Sequence, residues 1–499
     1  MINTGRRLPA PRPRRLAAAL TVGCLLLVAC GSSGDDDSAT TDAPAGTAAV
    51  DSAPADSTAD TNAETVTTET TADTTGDTTP ADTTADTAAP ATEPDVGTFE
   101  SITGVQGVTD EAINFAVLGT GPSNPLGYCL LDCYKGGVQA FFDYQNGLGG
   151  VNGRQLVISR TDDDEVGNTQ AKALELIDDD TIFGIFGAPL QYAGWSDIGA
   201  AAVPLYTTFP AAGDVNGFES SYIPLGTQCV ECASPASIWG AKVAGGTKAA
   251  SIGYGVSQAS KDCVDRAESE FATWGAEAGV EFVYKNNDLA FGFPNGLGPE
   301  VTAMKDAGVD YITTCIDQNG VLTLEQELQR QGMADVIVAL PQGYADTEFF
   351  ATNAGLLEGD VISIPYRPME ADPAHPAVKT MLDAFAASGV QINDYAIQGW
   401  LGAQLAATGI LAAGPQFDRA STVAATNAIT DYDADGMFHP VDWSTAHTAP
   451  SEGDAYTQCF SYLRVEGGVL VMSSDPELPF DCFDFPFAAW TEPTPSTFD

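Results

Sequence analysis

The sequence predicts an α/β protein of two doubly wound βαβ lobes, joined by a hinge, with a ligand cleft between them. Short apolar runs alternate with segments of helical period, and this rhythm pauses at residues 218–235 before it starts again. Such alternation is typical of a parallel sheet covered by helices on both faces. The folded part, about 400 residues, is also too long for one small core, which favours two lobes.

Residues 1–29 have the layout of a signal peptide. Five arginines precede an apolar run at residues 16–29, which is shorter than the ~20 residues that a membrane-spanning helix needs. The run ends in Leu27-Val28-Ala29-Cys30, which resembles a bacterial lipobox, where the cysteine is acylated and becomes the new N-terminus. We therefore expect an exported protein, anchored to the outer face of the cell membrane by lipidated Cys30. The alternative is a secreted protein that is cut nearby, with Cys30 incidental.

Residues 30–97 are predicted to form a disordered tether behind the lipidated cysteine. They consist mainly of Thr, Ala, Asp, Ser and Pro, with almost no large apolar side chain. Such a segment cannot bury enough surface to offset the entropy of ordering. Its acidic residues repel one another and extend it. Whether it carries O-linked sugar is left open by the sequence.

The first lobe is predicted to comprise residues 98–228 and 366–435. Its apolar runs predict strands at residues 113–118, 156–159, 182–186 and 203–206, and the segments between them predict helices at 135–144, 168–177 and 195–201. Helices at 376–387, 396–413 and 421–429 are predicted to return to this lobe.

The second lobe is predicted to comprise residues 229–365 and 436–490. Strands are predicted at 249–254, 280–284, 311–315 and 336–340, helices at 258–274, 300–307 and 322–331, and extended segments at 458–465 and 469–473. Open sheets of this kind bind ligands beyond the carboxyl ends of their strands. Two such lobes close on a ligand by a hinge motion.

The charge of the chain excludes nucleic acid as a partner. The whole sequence has a formal net charge of −48; without the five arginines of the first segment and the fifteen acids of the tether, 53 acidic and 15 basic residues remain. A surface of this sign repels polyanions, so neither nucleic acid nor a polyanionic ligand held by a general field is expected. It is typical of a highly soluble exported protein.

Eight cysteines remain in the folded part after Cys24 and Cys30 are set aside, and an even number in an exported protein favours disulfides. Local spacing suggests the pairs Cys129–Cys133, Cys229–Cys232, Cys263–Cys315 and Cys459–Cys482, among 105 combinations. Two alternatives stay open for the Cys229–Cys232 pair: a zinc site shared with Cys129 and Cys133, and a redox-active pair. The surrounding sequence lacks the strand-to-helix context of a thioredoxin motif.

The segment at residues 140–156, with the letters AFFDYQNGLGGVNGRQL, resembles the leucine/isoleucine/valine-binding family of type I periplasmic binding proteins. In that family a helix ends in Asn, two glycines and a Gly-Arg pair before the second strand, here Asn146, Gly149, Gly150, Gly153 and Arg154. Glycine gives the positive φ of such a reversal at low cost, so the motif indicates the fold more than the ligand. The resemblance continues over about residues 108–475.

The resemblance implies a lipoprotein form of the solute-binding protein of an ABC importer, which delivers an amino acid, amide or related small organic solute to permease subunits in the membrane. It implies no catalytic residue, no cofactor and no metal. A ligand sensor for a membrane signalling partner is an alternative, and an exported hydrolase is a weaker one. Motifs for nucleophilic hydrolysis, phosphate loops and dinucleotide binding are absent from the sequence.

The family's ligand loops are carried over position by position. Gln191 and Tyr192 replace the small hydroxyl residues that are usual in the loop after Gly187. Thr207, Thr208 and Phe209 match the loop where backbone amides and a threonine hydroxyl hold a carboxylate. Asp317 and Gln342 match the positions that hold the ligand's amine. Gln342 departs from the family's glutamate, so the ligand is not required to have an α-amino group, although Asp317 offers a replacement charge.

Aromatic residues after the predicted strands are candidates for an aromatic pocket, with lobe packing as the alternative for each: Tyr128, Tyr192, Phe209, Tyr254 and Tyr344. A helix starting near Gln191 is expected to offer free amides to an anionic group. The acidic run at residues 162–164 is expected to form a solvated turn rather than a calcium site. Residues 431–436 are expected to form an Asp-Gly turn that leads into a strand, again rather than a calcium site.

Overall fold

The first lobe contains a five-stranded parallel sheet. The computed structural model describes residues 96–208, 215–226, 233–341, 343–345, 347–451 and 453–498. The strands of this sheet are β1 (Ala112–Gly119), β2 (Gln155–Asp163), β3 (Gly184–Ala188), β4 (Leu205–Thr207) and β5 (Ser221–Tyr222). They lie in the order β2-β1-β3-β4-β5, and all neighbours are parallel. The predicted strands of this lobe are therefore confirmed, and β5 was not predicted.

Three helices connect these strands: α1 (Leu131–Leu148), α2 (Thr169–Ile177) and α3 (Trp195–Ala200). The central strands β1, β3 and β4 are short apolar runs that are almost wholly buried, as in β3, where every residue is buried, whereas the edge strand β2 is partly exposed. Both faces of such a sheet must be covered, which is what its helices do. The carboxyl ends of β1, β3 and β4 consequently meet at one edge, where the loops carry candidate ligand residues.

The second lobe contains a nine-stranded mixed sheet. Its strands are β6 (Lys248–Tyr254), β7 (Glu281–Leu289), β8 (Tyr311–Cys315), β9 (Ile337–Ala339), β10 (Val361–Ile364), β11 (Tyr456–Glu466), β12 (Val469–Met472), β13 (Phe480–Phe485) and β14 (Thr494–Ser496). The main order is β14-β13-β11-β10-β9-β8-β6-β7, with β12 paired to β11. The strands from β6 to β10 are parallel, and β11 to β14 extend the sheet with antiparallel pairs.

The helices of the second lobe are α4 (Ala236–Ala244), α5 (Gln258–Glu270), α6 (Gly298–Ala307), α7 (Gln318–Arg330), α8 (Thr347–Thr352) and α9 (Ala354–Leu357). The helix α5 continues through a π-helical turn at Phe271–Gly275 and a last turn at Ala276–Ala278. The predicted alternation of strands and helices is confirmed here too. Among the described residues, no helix has both the length and the hydropathy that a membrane span requires.

The chain then returns to the first lobe through α10 (Pro376–Ser388), α11 (Asp394–Ala413) and α12 (Arg419–Thr426). The long helix α11 packs along α1, and its residues 396–410 are mostly buried. This confirms the predicted return of three helices. Since the chain passes from one sheet to the other more than once, the two lobes are joined by several crossings, the arrangement expected of a hinge.

The segment at residues 436–449 contacts the first sheet. The rings of Trp443 and His447 lie edge-on to Tyr222 of β5, with centroids 5.2 Å away in both cases. A ring nitrogen of His447 also lies 3.1 Å from the Ser221 carbonyl oxygen. These contacts favour a lobe boundary after this segment instead of at residue 436, and β14 favours extending the second lobe past residue 490. The lobe boundaries themselves remain a prediction.

The turn that carried the family resemblance has the geometry that its glycines predict. Gly150 has a φ of 80°, and a Cβ atom there would lie 2.0 Å from the Arg154 carbonyl oxygen. The side chain of Arg154 is fully buried and donates to the main-chain oxygens of Thr109 and Glu100 at 2.8 and 2.6 Å. The motif therefore stabilises the reversal between α1 and β2 and lies away from any ligand loop.

Three of the four suggested disulfides are formed in the structure: Cys129–Cys133, Cys263–Cys315 and Cys459–Cys482. Cys129 and Cys133 are thereby excluded as ligands of the alternative zinc site. Cys229, Cys232 and Cys30, together with the signal peptide and most of the tether, lie outside the described residues. In the described part, no group of three or more His, Cys, Asp or Glu side chains is arranged to hold a metal ion.

The acidic run at residues 162–164 is only in part the solvated turn that the sequence predicted, because Asp163 is exposed and Asp164 is not. Asp164 is fully buried, and its carboxylate accepts hydrogen bonds from the hydroxyls of Thr120 and Thr169 at 3.1 and 2.8 Å. Asp163 accepts from the main-chain N–H of Gly121 at 3.0 Å. The run thus fixes the loop after β1, because short carboxylates satisfy main-chain and hydroxyl donors that water cannot reach.

Candidate functional site

A cavity of about 270 Å³ lies between the two lobes, where parallel strands of both sheets end. Residues that follow β3 and β4 line it from the first lobe, and residues at the ends of β9 and β10 line it from the second. Its described lining residues are Tyr192, Thr208, Pro341, Gly343, Ser363, Ile364, Pro365, Tyr366, Asp394, Tyr395 and Gln398. This is the place where open α/β sheets bind ligands, so we take it as the candidate site.

A larger cavity, of about 600 Å³, lies beyond Pro365 and is lined mainly by residues 438–450 and 454–460. Three of its described lining residues, Leu225, Gly226 and Pro365, follow parallel strands, and the others belong to the segment between α12 and β11 or to β11 itself. Gly226 also lines it, and the six residues that follow Gly226 lie outside the described part of the chain. We therefore assign no function to this second cavity.

Asp394, the first residue of α11, places a buried carboxylate in the candidate site. Only 8% of the residue is exposed. Its Oδ1 atom accepts hydrogen bonds from the Tyr344 main-chain N–H, at 3.0 Å, and from the Tyr366 hydroxyl. Burial raises the pKa of Asp394 to about 6, while the Tyr366 hydroxyl and the main-chain N–H groups of Tyr344 and Gly343 oppose the rise. The carboxylate is therefore mostly ionised at neutral pH.

Thr208 and Tyr192 form the wall of the site in the first lobe. The Tyr192 hydroxyl lies 3.1 Å from Thr208 Oγ1, and the Thr208 main-chain N–H donates to the Gly187 carbonyl at 3.0 Å. Gln191 is exposed and does not line the cavity. The expected helix start near Gln191 is wrong, because α3 begins at Trp195 and spans six residues.

Thr207 points away from the cavity, in contrast to its neighbour. Its hydroxyl accepts from Trp195 Nε1 at 2.9 Å and donates to the Gly187 carbonyl at 3.1 Å, and the residue is fully buried. Successive side chains of a strand point to opposite faces, so only one of two adjacent threonines can face the cleft. These contacts indicate that Thr207 stabilises the lobe, which corrects its expected role as a ligand contact.

We predict that Thr207→Val and Thr208→Val will have different effects. The first leaves the buried Trp195 N–H without its acceptor, so the free energy of unfolding should fall by about 1–3 kcal/mol. The second removes a hydroxyl from the cavity wall and should mainly weaken ligand binding. Urea denaturation measures the stability of both variants, and calorimetric titration with a solute that binds the wild type measures their affinity. Equal loss of stability in both would contradict the assignment.

Tyr254 lies at the end of β6 and Asp317 just after β8, and neither is among the described residues that line the cavity. Tyr254, at the end of β6, donates its hydroxyl hydrogen to Asp317 Oδ2 at 2.6 Å. Asp317 also caps α7 by accepting from the Gly320 N–H at 3.1 Å. Burial and the Asp317 carboxylate raise the pKa of Tyr254. Both expected ligand residues therefore lie at a strand end, already engaged with each other.

Tyr128 lies between carboxylates of both lobes. Burial raises the pKa of its phenol, and the negative charges of Asp317 and Asp394 raise it further. The loop that carries Tyr128 also approaches α7, since a Cβ atom on Gly127 would lie 3.0 Å from Asn319 Nδ2. Tyr128 thus lies near both acidic groups but is not among the described residues that line the candidate site, so its role as a ligand contact stays a prediction.

Tyr344 stands behind the cavity instead of in it. It is 3% exposed, stacks on Tyr366 with centroids 5.9 Å apart, and donates its hydroxyl hydrogen to Glu370 Oε2 at 2.6 Å. Burial and the Glu370 carboxylate raise its pKa. Tyr344 therefore supports Tyr366 and Asp394, which line the site. Phe209 and Gln342 lie outside the described residues.

The sequence did not identify Asp394, Tyr366, Ser363 or Gln398 as site residues. The sequence did contain one signal for Asp394. Two polar residues, Asn393 and Asp394, precede an apolar helix, and only one of them is needed as the N-cap. In the structure Asn393 is the cap, accepting from the Ala396 N–H at 3.0 Å. Asp394 is thereby left to face the cavity.

Comparison with known proteins connects this fold to a family. A family model described as periplasmic binding protein matches residues 121–468. No curated protein matches the chain in sequence. A solved fatty acid ABC transporter substrate-binding protein from Thermomonospora curvata has 17% identity and a TM-score of 0.56, over 74% of this chain and 93% of that chain.

Two further solved structures are similar to the same degree. An ABC transporter solute-binding protein from R. palustris, in complex with benzoate, has 18% identity and a TM-score of 0.56, over 72% of this chain and 95% of that chain. A branched-chain amino acid transporter substrate-binding protein from Streptococcus pneumoniae, in complex with isoleucine, has 14% identity and a TM-score of 0.56. This match covers 72% of this chain and 98% of that chain. At such identities the likeness shows the fold.

Two α/β lobes with a cavity at the facing ends of their strands define a ligand-binding protein of the type I periplasmic class. The chain belongs to the periplasmic binding protein family, in its leucine/isoleucine/valine-binding type. The resemblance recognised at residues 140–156 is thereby confirmed, and members of this family bind small ligands.

Proposed function

We propose that this protein is the solute receptor of an ABC importer, which captures an amino acid, amide or related small organic solute and delivers it to a permease. The observation that carries this proposal is the interlobe cavity, in which a buried carboxylate, hydroxyls and an amide converge from both lobes. A concave site with a few oriented polar groups is the usual form of a small-molecule site.

The cavity argues for binding without chemistry. Its described lining contains one carboxylate and no His, Cys or Lys, so a serine or cysteine nucleophile paired with a histidine base is absent from that lining. Closure of the two lobes around a solute gives a permease two distinguishable states, empty and loaded. The same reasoning supports export and a lipid anchor at Cys30, because a receptor is useful only beside its transporter.

A solute screen tests the proposal on the mature protein extracted from membranes. We expect amino acids, amides or other small organic solutes to raise the melting temperature saturably, because a ligand that binds only the folded state stabilises it in proportion to RT ln(1 + [L]/Kd). Chromatography of the incubated solute checks that it is recovered unchanged. Conversion to a product, or no stabilisation by any solute class, would contradict a receptor role.

The anchor is tested in the same preparation. Acyl chains on Cys30 make the protein dependent on detergent for extraction, and Cys30→Ser should release it into the soluble fraction with its binding unchanged. A wild-type protein that is soluble without detergent would rule out the anchor and leave the binding role intact.

A further inference from the structure

We propose that the interlobe cavity selects a small organic cation, an ammonium or amidinium solute, whose charged group pairs with Asp394. The inference rests on the proposed function and names the ligand class of that same site. Four features support it: the charges around the cavity, the hydrogen bonding of Asp394, the neighbouring carboxylates and the aromatic rings.

The cavity has a negative charge that no basic residue of its described lining balances. Among those lining residues, Asp394 is the one carboxylate, and Lys, Arg and His do not occur. The groups that oppose the rise in its pKa are neutral hydrogen-bond donors. An ionised carboxylate out of water is costly unless an opposite charge pairs with it. A cationic ligand supplies that charge.

The hydrogen bonds of Asp394 leave room for a ligand. The contacts from the Tyr344 N–H and the Tyr366 hydroxyl both end on Oδ1. A carboxylate has about four acceptor positions. The Tyr344 N–H, the Tyr366 hydroxyl and the Gly343 N–H use three of them, which leaves one for a donor of the ligand. Ammonium and amidinium groups present such donors together with a positive charge, which makes their hydrogen bonds to a carboxylate the stronger kind.

Other carboxylates add to the negative potential at this end of the cleft. Asp317 and Asp394 both raise the pKa of Tyr128, so the phenol lies close to both charges. Glu370 accepts a hydrogen bond at 2.6 Å from the hydroxyl of Tyr344, whose ring stacks on Tyr366. Clefts lined with one sign of charge concentrate ligands of the opposite sign, and a carboxylate ligand meets the same potential as repulsion.

The aromatic side chains suit a cation of modest size. Tyr192, Tyr366 and Tyr395 all line the cavity. The faces of aromatic rings attract organic cations, including quaternary ammonium groups that have no N–H to donate. A volume of about 270 Å³ lies just below the usual range of ligand sites, so the ligand is a small molecule rather than a peptide.

The test compares ligand classes and two variants by calorimetric titration at pH 7.5. The cation probes are putrescine, agmatine and choline; leucine is the zwitterion, acetamide the neutral probe, and benzoate the anion. Asp394→Asn removes the charge and keeps a carbonyl oxygen for Tyr344 and Tyr366. Asp143→Asn is the matched control, because Asp143 is exposed on α1 and accepts only from Gln139 among its side-chain contacts.

We expect at least one cation to bind, with a loss of tenfold or more in Asp394→Asn and none in Asp143→Asn. Binding of benzoate, acetamide or leucine alone, with affinity unchanged in Asp394→Asn, would overturn the cation assignment and leave the receptor function standing. If no probe of any class bound, the cation proposal and the proposed function would both be rejected.

The pH dependence gives a second readout. Since the cation pairs with the ionised carboxylate, affinity should be level above the pKa of Asp394, about 6, and fall about tenfold per pH unit below it. Asp317, Glu370, Tyr128, Tyr344 and Tyr366 also face this region, and of these the carboxyls keep their own contribution in Asp394→Asn. In Asp394→Asn, the steep fall of cation affinity below about pH 6 should disappear. If the dependence of affinity on pH were unchanged in that variant, the fall would come from the other carboxyls and the proposal would be overturned.

The variant should also change the ligand-free protein. A carboxyl whose pKa rises on folding adds stability at low pH, and this contribution is lost as the pH rises from the ordinary value to about 6. At pH 7.5, Asp394→Asn should therefore melt higher than wild type without ligand, while Asp143→Asn should not. A lower melting temperature would indicate that the charge itself holds the lobes together and would count against the proposal.

Discussion

Gly137→Ala is expected to lower the free energy of unfolding by about 3 kcal/mol or more, the upper end of the range for overpacking. Gly137 lies on α1 where that helix crosses α11. A Cβ atom at this position would lie 1.8 Å from the Ala396 carbonyl oxygen, and one at Gly399 would lie 2.1 Å from the Tyr134 carbonyl oxygen. Since both obstacles are main-chain atoms, the two helices must move apart to admit a methyl group.

The neighbouring glycine provides the control. A Cβ atom on Gly136 would lie 3.5 Å from a Val390 methyl group, which is ordinary contact. Alanine favours a helix interior by about 1 kcal/mol over glycine, so Gly136→Ala should be neutral or stabilising. Urea denaturation of both variants measures the difference. Equal stability of the two would show that the helices do not cross as closely as described.

The change at Gly137 should also affect the site, because α11 carries three of its residues. Asp394, Tyr395 and Gln398 line the cavity from the first two turns of this helix. A displacement of α11 away from α1 moves these side chains relative to Tyr192 and Thr208. Any Gly137→Ala protein that remains folded should bind its solute more weakly than Gly136→Ala.

The fold was predictable because a buried parallel sheet leaves a strong pattern. Strands such as β1 and β6 are short apolar runs between helical segments, and their order along the chain implies their layering. The strand β5 was not predicted, because a strand of two residues is too short to show a hydrophobic pattern. The strand β13 was missed although Cys482 was paired in advance with Cys459, which lies opposite it in the sheet. Cysteine spacing thus predicted a contact that hydrophobic pattern did not.

The site was predictable only where it follows strands. Thr208 and Tyr192, which line the cavity, were identified because loops after parallel strands meet at one edge. The choice between Thr207 and Thr208 depends on which of two neighbours faces inward, and the choice between Asn393 and Asp394 on which one caps α11. Each pair has similar chemistry at adjacent positions, so tertiary contacts, such as Trp195 on Thr207, make the selection.

Removing the disulfide Cys263–Cys315 is expected to destabilise the second lobe by about 4 kcal/mol. The bond joins α5 to the end of β8, 52 residues apart along the chain. In the chain-entropy account, a cross-link stabilises by restricting the unfolded chain, and a loop of this length gives about 4 kcal/mol. The double variant Cys263→Ser/Cys315→Ser should therefore unfold at a clearly lower urea concentration.

The matched control is the disulfide Cys129–Cys133, which closes a loop of only four residues. The same relation gives about 2 kcal/mol for a loop of that size. Urea denaturation of both double variants, without reductant, compares the two losses. A Cys263→Ser/Cys315→Ser protein as stable as wild type, or equal losses in both variants, would contradict the loop-length argument.

The position of this disulfide connects stability to binding. The Cys315 carbonyl accepts from Ser260 Oγ at 2.5 Å, and the same Ser260 oxygen accepts from the Tyr254 N–H at 2.6 Å. Asp317, two residues after Cys315, holds the Tyr254 hydroxyl. Without the cross-link the end of β8 is less firmly tied to α5, although Tyr254 still packs on Phe291 and Phe293 and Asp317 still caps α7. We expect solute affinity to fall together with stability. Loss of stability with unchanged affinity would show that the Tyr254–Asp317 pair does not influence the ligand site.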